Sequence, residues 1–145
     1  MTTEQLFSLA NAFALLGWIP LLLAPLRRGP AVAVARWVAA ILAGLYTVLI
    51  GAQVLGGGEG GGMPEMTATG LAAAFSRPEV LLVGWVHYLA FDLWVGAWIV
   101  HHAGERGVSH LLVIPCLILT FLAGPVGLLL YLILQLGSGR RARTA

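Results

Sequence analysis

The chain has 145 residues, of which 59% are hydrophobic and 10% charged, with a mean hydropathy of +0.92. A soluble domain carries about a quarter charged residues, so this composition leaves an integral membrane protein and sets aside soluble catalysis, nucleic-acid binding and disorder. The net charge of +2 comes from eight arginines and no lysine. They sit at the ends of apolar segments, where lipid headgroups lie, so the basic balance does not point to nucleic acid.

The N-terminus, Met1-Thr2-Thr3-Glu4, has no basic region and no small-residue cleavage site, and no removable signal peptide is expected. A first apolar segment covers about 6–26 and closes at Pro25 and Arg27-Arg28-Gly29-Pro30. A second covers about 31–55. Next comes Gly56-Gly57-Gly58-Glu59-Gly60-Gly61-Gly62, which has almost no side chains to pack and is expected to be mobile. Residues at about 66–76 read as a short interfacial helix, with Leu71, Ala74 and Phe75 on one face. Pro78-Glu79 suits the first turn of a helix, because proline lacks a donor that turn cannot use and the acid favours the dipole. The third apolar segment covers about 80–100 and the fourth about 108–136, before the tail Arg140-Arg141-Ala142-Arg143.

Segments of about 20 residues or more are long enough to cross lipid as helices and too long for barrel strands. The expected fold is all-α, a single integral-membrane four-helix bundle over 1–145. Its location is expected to be the bacterial inner (cytoplasmic) membrane. Four spans leave the arginines tied, four at each end. The first hairpin favours a cytoplasmic Arg27-Arg28 turn and the basic tail favours the reverse.

The third segment holds the feature of most consequence. Asp92 lies near its middle, where an ionisable group costs about 2.5–3.5 kcal/mol on insertion scales and reads by default as functional. The alternative is that Asp92 joins helices by hydrogen bonding. Seven-residue spacings align Asn11 with Trp18, Tyr46 with Gln53, and Trp85 with Asp92, with Tyr88 between the last two. Lipid offers these groups no partners, so their faces are expected to converge, with Asn11 the best partner for Asp92. His87 stands about 140° around the helix from Asp92, too far for a simple dyad on one face. It is a candidate catalytic or packing residue.

His101, His102 and His110 lack the spacing of a metal site and read as interfacial, so no metal is expected. Trp18 and Trp94 lie deep, where aromatics suit a long isoprenoid ligand or ordinary packing. Cys116 reads as a small buried hydrophobe, and one cysteine excludes an internal disulfide. Pro115 and Gly124-Pro125 are expected to kink the fourth helix.

The run Trp85-Val86-His87-Tyr88-Leu89-Ala90-Phe91-Asp92-Leu93-Trp94-Val95-Gly96 resembles the signature of small neoxanthin-synthase-like membrane proteins of the abscisic-acid-deficient type. Ala10-Asn11, Pro78-Glu79, Pro115-Cys116 and Gly124-Pro125-Val126-Gly127 through Tyr131 fit the same pattern. Plant members of that family are implicated in converting the epoxy-carotenoid violaxanthin to its allenic isomer neoxanthin. The resemblance implies a carotenoid or related isoprenoid ligand and, as one reading, an isomerase that opens an epoxide.

Epoxide opening needs a proton delivered to oxygen and another removed from carbon. Asp92 is the candidate acid, with His87 and Tyr88 assisting. Asn11, Trp18, Tyr46, Gln53, Trp85 and Trp94 are candidate ligand contacts, and no cofactor is expected. The other reading is a non-enzymatic membrane subunit or lipophilic-ligand binder. The expected partners are the bilayer, the isoprenoid ligand, and a second copy or larger membrane complex.

Overall fold

The computed structural model describes residues 1–56 and 65–141, with side chains described to residue 136. The glycine run expected to be mobile lies mostly outside the described residues. Among the described residues six helices follow in order: α1 (Thr3–Leu22), α2 (Arg28–Leu55), α3 (Ala68–Phe75), α4 (Pro78–Glu105), α5 (His110–Ala123) and α6 (Pro125–Arg141). Three of them, α1, α2 and α4, are long and apolar enough to cross a membrane. The fourth expected span is instead two shorter helices.

Local chemistry explains where the helices begin. Thr2 and Gln5 form a capping box: the Gln5 N–H donates to the Thr2 hydroxyl at 3.2 Å, and the Thr2 N–H donates to the Gln5 side chain at 2.9 Å. Thr67 caps α3 by accepting from the Gly70 N–H at 3.1 Å. Pro78 opens α4 at its first turn, as its missing donor allows. His110 opens α5 and satisfies a carbonyl at the end of α1, its Nε2 donating to Leu22 O at 3.1 Å.

The helix α4 is central: half of its apolar window is buried, against 28% for α1 and 17% for α2. It runs parallel to α1. Phe7 and Asn11 meet Trp85, Gly17 meets Leu93, and Gly96 meets Trp18. It runs antiparallel to α2, where Tyr46 meets His87, Arg36 meets Trp94, and Arg28 meets Gly104. Glycines set these approaches. A side chain at position 96 would begin 2.8 Å from the Trp18 ring, and Trp18 is only 4% exposed. The outward surfaces carry Leu16, Ile19, Trp37, Ile41 and Val48, the apolar cover that lipid requires. In α3, Leu71 and Ala74 are half-buried, and the half-exposed Phe75 lies against Gly84.

The break at Gly124 is sharper than the expected kink. Gly124 has φ +33 and ψ −89, which favours glycine, and Pro125 starts a new helix. α6 then doubles back along α5. A side chain at Gly127 would collide with the Thr120 backbone nitrogen and hydroxyl and with the Cys116 carbonyl. Seven and eleven residues of continuous helix would hold those groups roughly 10 and 16 Å apart.

Farther along, the Tyr131 hydroxyl bonds His102 Nδ1 at 2.7 Å, and Trp98 stacks on His102 at 4.9 Å. Arg106 Nε donates to His102 Nε2 at 3.1 Å. The neutral ring therefore carries its proton on Nδ1 and donates it to Tyr131. α5 is about 21 Å long, less than the roughly 30 Å of hydrocarbon. It descends from the His110 end to the depth of Asp92, and α6 returns. Residues 110–141 thus form a helical hairpin in place of the expected continuous helix. Irregular backbone at such a depth persists only where protein or a cavity covers it, and here α4 supplies the cover.

This return breaks the arginine tie. Arg27, Arg28 and Arg106, together with Arg140 and Arg141 of α6, belong to one end; Arg77 belongs to the other. The positive-inside rule then favours the Arg27 end in the cytoplasm. The fold-back is checked by cross-linking. In a Cys116→Ser background, cysteines replacing His102 and Tyr131 are expected to join through a short bismaleimide in native membranes. A pair replacing Thr67 and Tyr131 is expected not to join. The reverse pattern would restore the continuous fourth helix.

Candidate functional site

Asp92 stands where the α5–α6 turn meets α4. A side chain beginning at Gly124 would lie 2.6 Å from Asp92 Oδ1 and 3.1 Å from Oδ2. The carboxyl therefore fills space that only glycine leaves. Asp92 is half-buried, and its Oδ2 is out of solvent contact with no hydrogen-bond partner among the described residues. Tyr88, one turn earlier on the same face, is its polar side-chain neighbour. The Tyr88 hydroxyl donates to Phe121 O at 3.3 Å, a carbonyl in the last turn of α5. That carbonyl precedes the break, so it has no later helical N–H of its own segment to accept from.

An aromatic wall continues away from this point toward the Arg77 end. Trp85 lies 5.3 Å from Tyr88 and 5.3 Å from Phe7, centroid to centroid. Trp85 Nε1 donates to Asn11 Oδ1 at 3.1 Å, and Asn11 Nδ2 donates to Phe7 O at 2.7 Å. On the hairpin side, Phe121 packs edge-on against Trp18 at 5.5 Å. The hairpin turns at Gly124, at the level of Asp92. Phe75 of α3 closes the far end against Gly84. Between Gly84 and Asp92 lies a stretch of α4 about 12 Å long. Half-buried Tyr88 and Trp85 line it, with the Asp92 carboxyl at its inner end.

The expected convergence is thus partly realised. Asn11, Trp18, Trp85, Tyr88 and Asp92 share the α1 and hairpin side of α4. Asn11 does not pair with Asp92, because it is already engaged by Trp85 and by the Phe7 carbonyl of its own helix. Tyr46, His87 and Trp94 fall on the opposite side, facing α2. His87 is exposed and lies between Tyr46, at 5.3 Å, and Phe91, at 4.5 Å. It does not reach Asp92, as its angular offset around α4 foretold. Trp94 is 51% exposed and lies under Arg36. Gln53 is half-buried near the end of α2.

Sequence reasoning does not single out Phe7 or Phe121. Gly124-Pro125 is a visible signal for a kink that frees a carbonyl, and the structure adds that the Asp92 carboxyl lies against Gly124. No group of three or more His, Cys, Asp or Glu side chains able to hold a metal occurs among the described residues. The remaining histidines have separate partners: His101 lies 3.5 Å from Glu105, while His102 and His110 serve Tyr131 and Leu22.

Residues 5–131 match the ABA4-like family model, described as ABA DEFICIENT 4-like. No curated protein and no solved structure matches the chain.

The contact between Asp92 and Gly124 is open to a double-mutant test. Gly124→Ala is expected to destabilise the protein in detergent by about 1–3 kcal/mol through overpacking. In an Asp92→Ala background the same change is expected to cost at least about 0.5 kcal/mol less. Thermal or denaturant unfolding of the four proteins measures it; full additivity would show that the carboxyl does not meet the turn.

Proposed function

This chain belongs to the ABA DEFICIENT 4-like family, and from that premise we propose that it acts on a carotenoid or related isoprenoid lipid inside the bilayer. The observation that carries this reading is the Asp92 Oδ2 without a partner among the described residues, at the inner end of a row of aromatic side chains that we read as a ligand groove. Phe7, Trp85, Tyr88 and Phe121 offer flat apolar faces to a polyene or isoprenoid chain. The carboxyl offers one polar group to an oxygen on that chain. A buried polar atom without a partner is a site for a ligand that supplies one.

The reaction we infer is isomerisation of an epoxide to an allenic or allylic alcohol. Asp92 gives its proton to the epoxide oxygen, and the carbon–oxygen bond breaks. A proton leaves a neighbouring carbon as the new double bond forms. The Asp92 carboxylate left by the first transfer is the base on this face, so the second transfer restores it and the reaction is balanced without a cofactor. Tyr88, whose proton is given to the Phe121 carbonyl, positions the Asp92 carboxyl from one turn away. His87, on the far side of α4, takes no part.

A second reading has its own support. Asp92 meets Gly124 at the turn that holds the hairpin against α4. A structural pin of that kind suits a pigment-binding or subunit role without chemistry. The two readings separate in a carotenoid-producing host. Asp92→Asn keeps the shape and hydrogen-bonding capacity of the side chain but loses the titratable proton. For an enzyme, this variant is expected to accumulate and melt like the wild type while losing at least about tenfold in product, the scale of general acid catalysis being larger still. Unchanged product would remove the chemical role, and pigment bound without conversion in both proteins would favour the binder.

A further inference from the structure

Two arginines lie away from the Asp92 groove. α2 and α4 enclose a cleft of about 460 Å³ lined by Arg28, Arg36, His101, Gly104 and Glu105, with Gly29 and Val32 in its wall. At 100° per residue, Trp94 and His101 stand roughly 160–180° around α4 from Asp92, so this cleft faces away from the groove.

Three features make it a prepared anion site. Arg28 Nε is buried and has no hydrogen-bond partner among the described residues. The Arg28 guanidinium occupies space left by the missing side chain of Gly104, where a Cβ would lie 2.5 Å from Nη1. Arg36 sits about 12 Å deeper along α2, and its guanidinium lies 5.8 Å from the centre of the half-exposed Trp94 ring. A cation at that depth is costly unless it meets an anion or reaches the headgroups. The one carboxylate in the wall, Glu105, is 62% exposed in its side chain and lies beside His101 at 3.5 Å. It is therefore at the mouth, and the two guanidinium groups dominate the interior. Basic clefts between membrane helices at the cytoplasmic end bind anionic headgroups, and guanidinium matches phosphate geometry.

We propose that this cleft holds the phosphate of an anionic phospholipid from the leaflet at the Arg27 end. Its acyl chains would lie along the apolar groove between α2 and α4, over Trp94 and Phe91. This site is independent of the reading of the Asp92 groove and goes beyond it.

Native mass spectrometry of the full chain in detergent tests the proposal by titration with phosphatidylglycerol, phosphatidylcholine and inorganic phosphate. Phosphatidylglycerol is expected to bind in preference to phosphatidylcholine. Arg36→Gln and Arg28→Gln are each expected to weaken it about fivefold. Arg27→Gln removes the same charge at the same end but lies outside the cleft, and is expected to leave binding within about twofold. Gly104→Val changes no charge, crowds the Arg28 guanidinium and is expected to weaken binding as well. If an arginine variant does not fold, the lipid preference of the wild type and the effect of Gly104→Val carry the test. Equal loss in Arg27→Gln, or no preference for phosphatidylglycerol, would reduce the effect to diffuse charge and overturn the site. Saturation by inorganic phosphate in place of lipid would overturn the lipid assignment.

Discussion

The Asp92 carboxyl and the Gly124 backbone occupy adjoining space at a depth where lipid can solvate neither. That constraint organises the rest of the molecule. A helix break inside the membrane exposes backbone groups that must find partners. A carboxyl there must find them too. Setting one against the other, beside Tyr88 and the Phe121 carbonyl, places both against α4 and away from lipid. The hairpin can then end at this depth. In the proposed reading the groove follows from the break, since a continuous fourth helix would pass on over Tyr88 and Trp85.

The other end of the hairpin is fastened by different chemistry. Tyr131, fully buried, bonds His102, which Arg106 orients and Trp98 stacks upon. Gly127 lets α6 close on the Thr120 turn of α5, where the Thr120 hydroxyl is already turned onto the Cys116 carbonyl at 2.8 Å. Small residues and satisfied polar groups of this kind replace the hydrophobic effect as the source of helix association in lipid. The polar contacts divide by position. The Tyr131, His102 and Arg106 contacts hold helices together, whereas Asp92 keeps an oxygen with no partner among the described residues.

Hydropathy made α1, α2 and α4 legible, because a span must be apolar for about 20 residues whatever it packs against. It could not reveal the hairpin. The stretch from Val108 to Leu136 is apolar throughout, and reversal at Gly124 depends on the later packing of Gly127 on Thr120. The tied arginine count was the trace of that reversal, since four continuous spans leave no basic side. The seven-residue spacings identified Asn11, Trp85 and Asp92 on one side of the molecule. They misplaced Tyr46 because α2 packs on the opposite face of α4. Arg36 was legible only as a charge near a segment end, although its place eight residues beyond Arg28 was a sign of a partner inside the cleft.

The central claim is that the proposed groove beyond the hairpin turn receives an isoprenoid chain and that the lipid-facing side of α4 does not. Photo-cross-linking in carotenoid-producing membranes measures this most directly. Benzoylphenylalanine is placed at Phe121, at the inner end of the proposed groove, and separately at Phe91, on the outer face, and the adducts are identified by mass. The account predicts isoprenoid adducts at position 121 and phospholipid acyl adducts at position 91. Acyl adducts alone at both positions would contradict it.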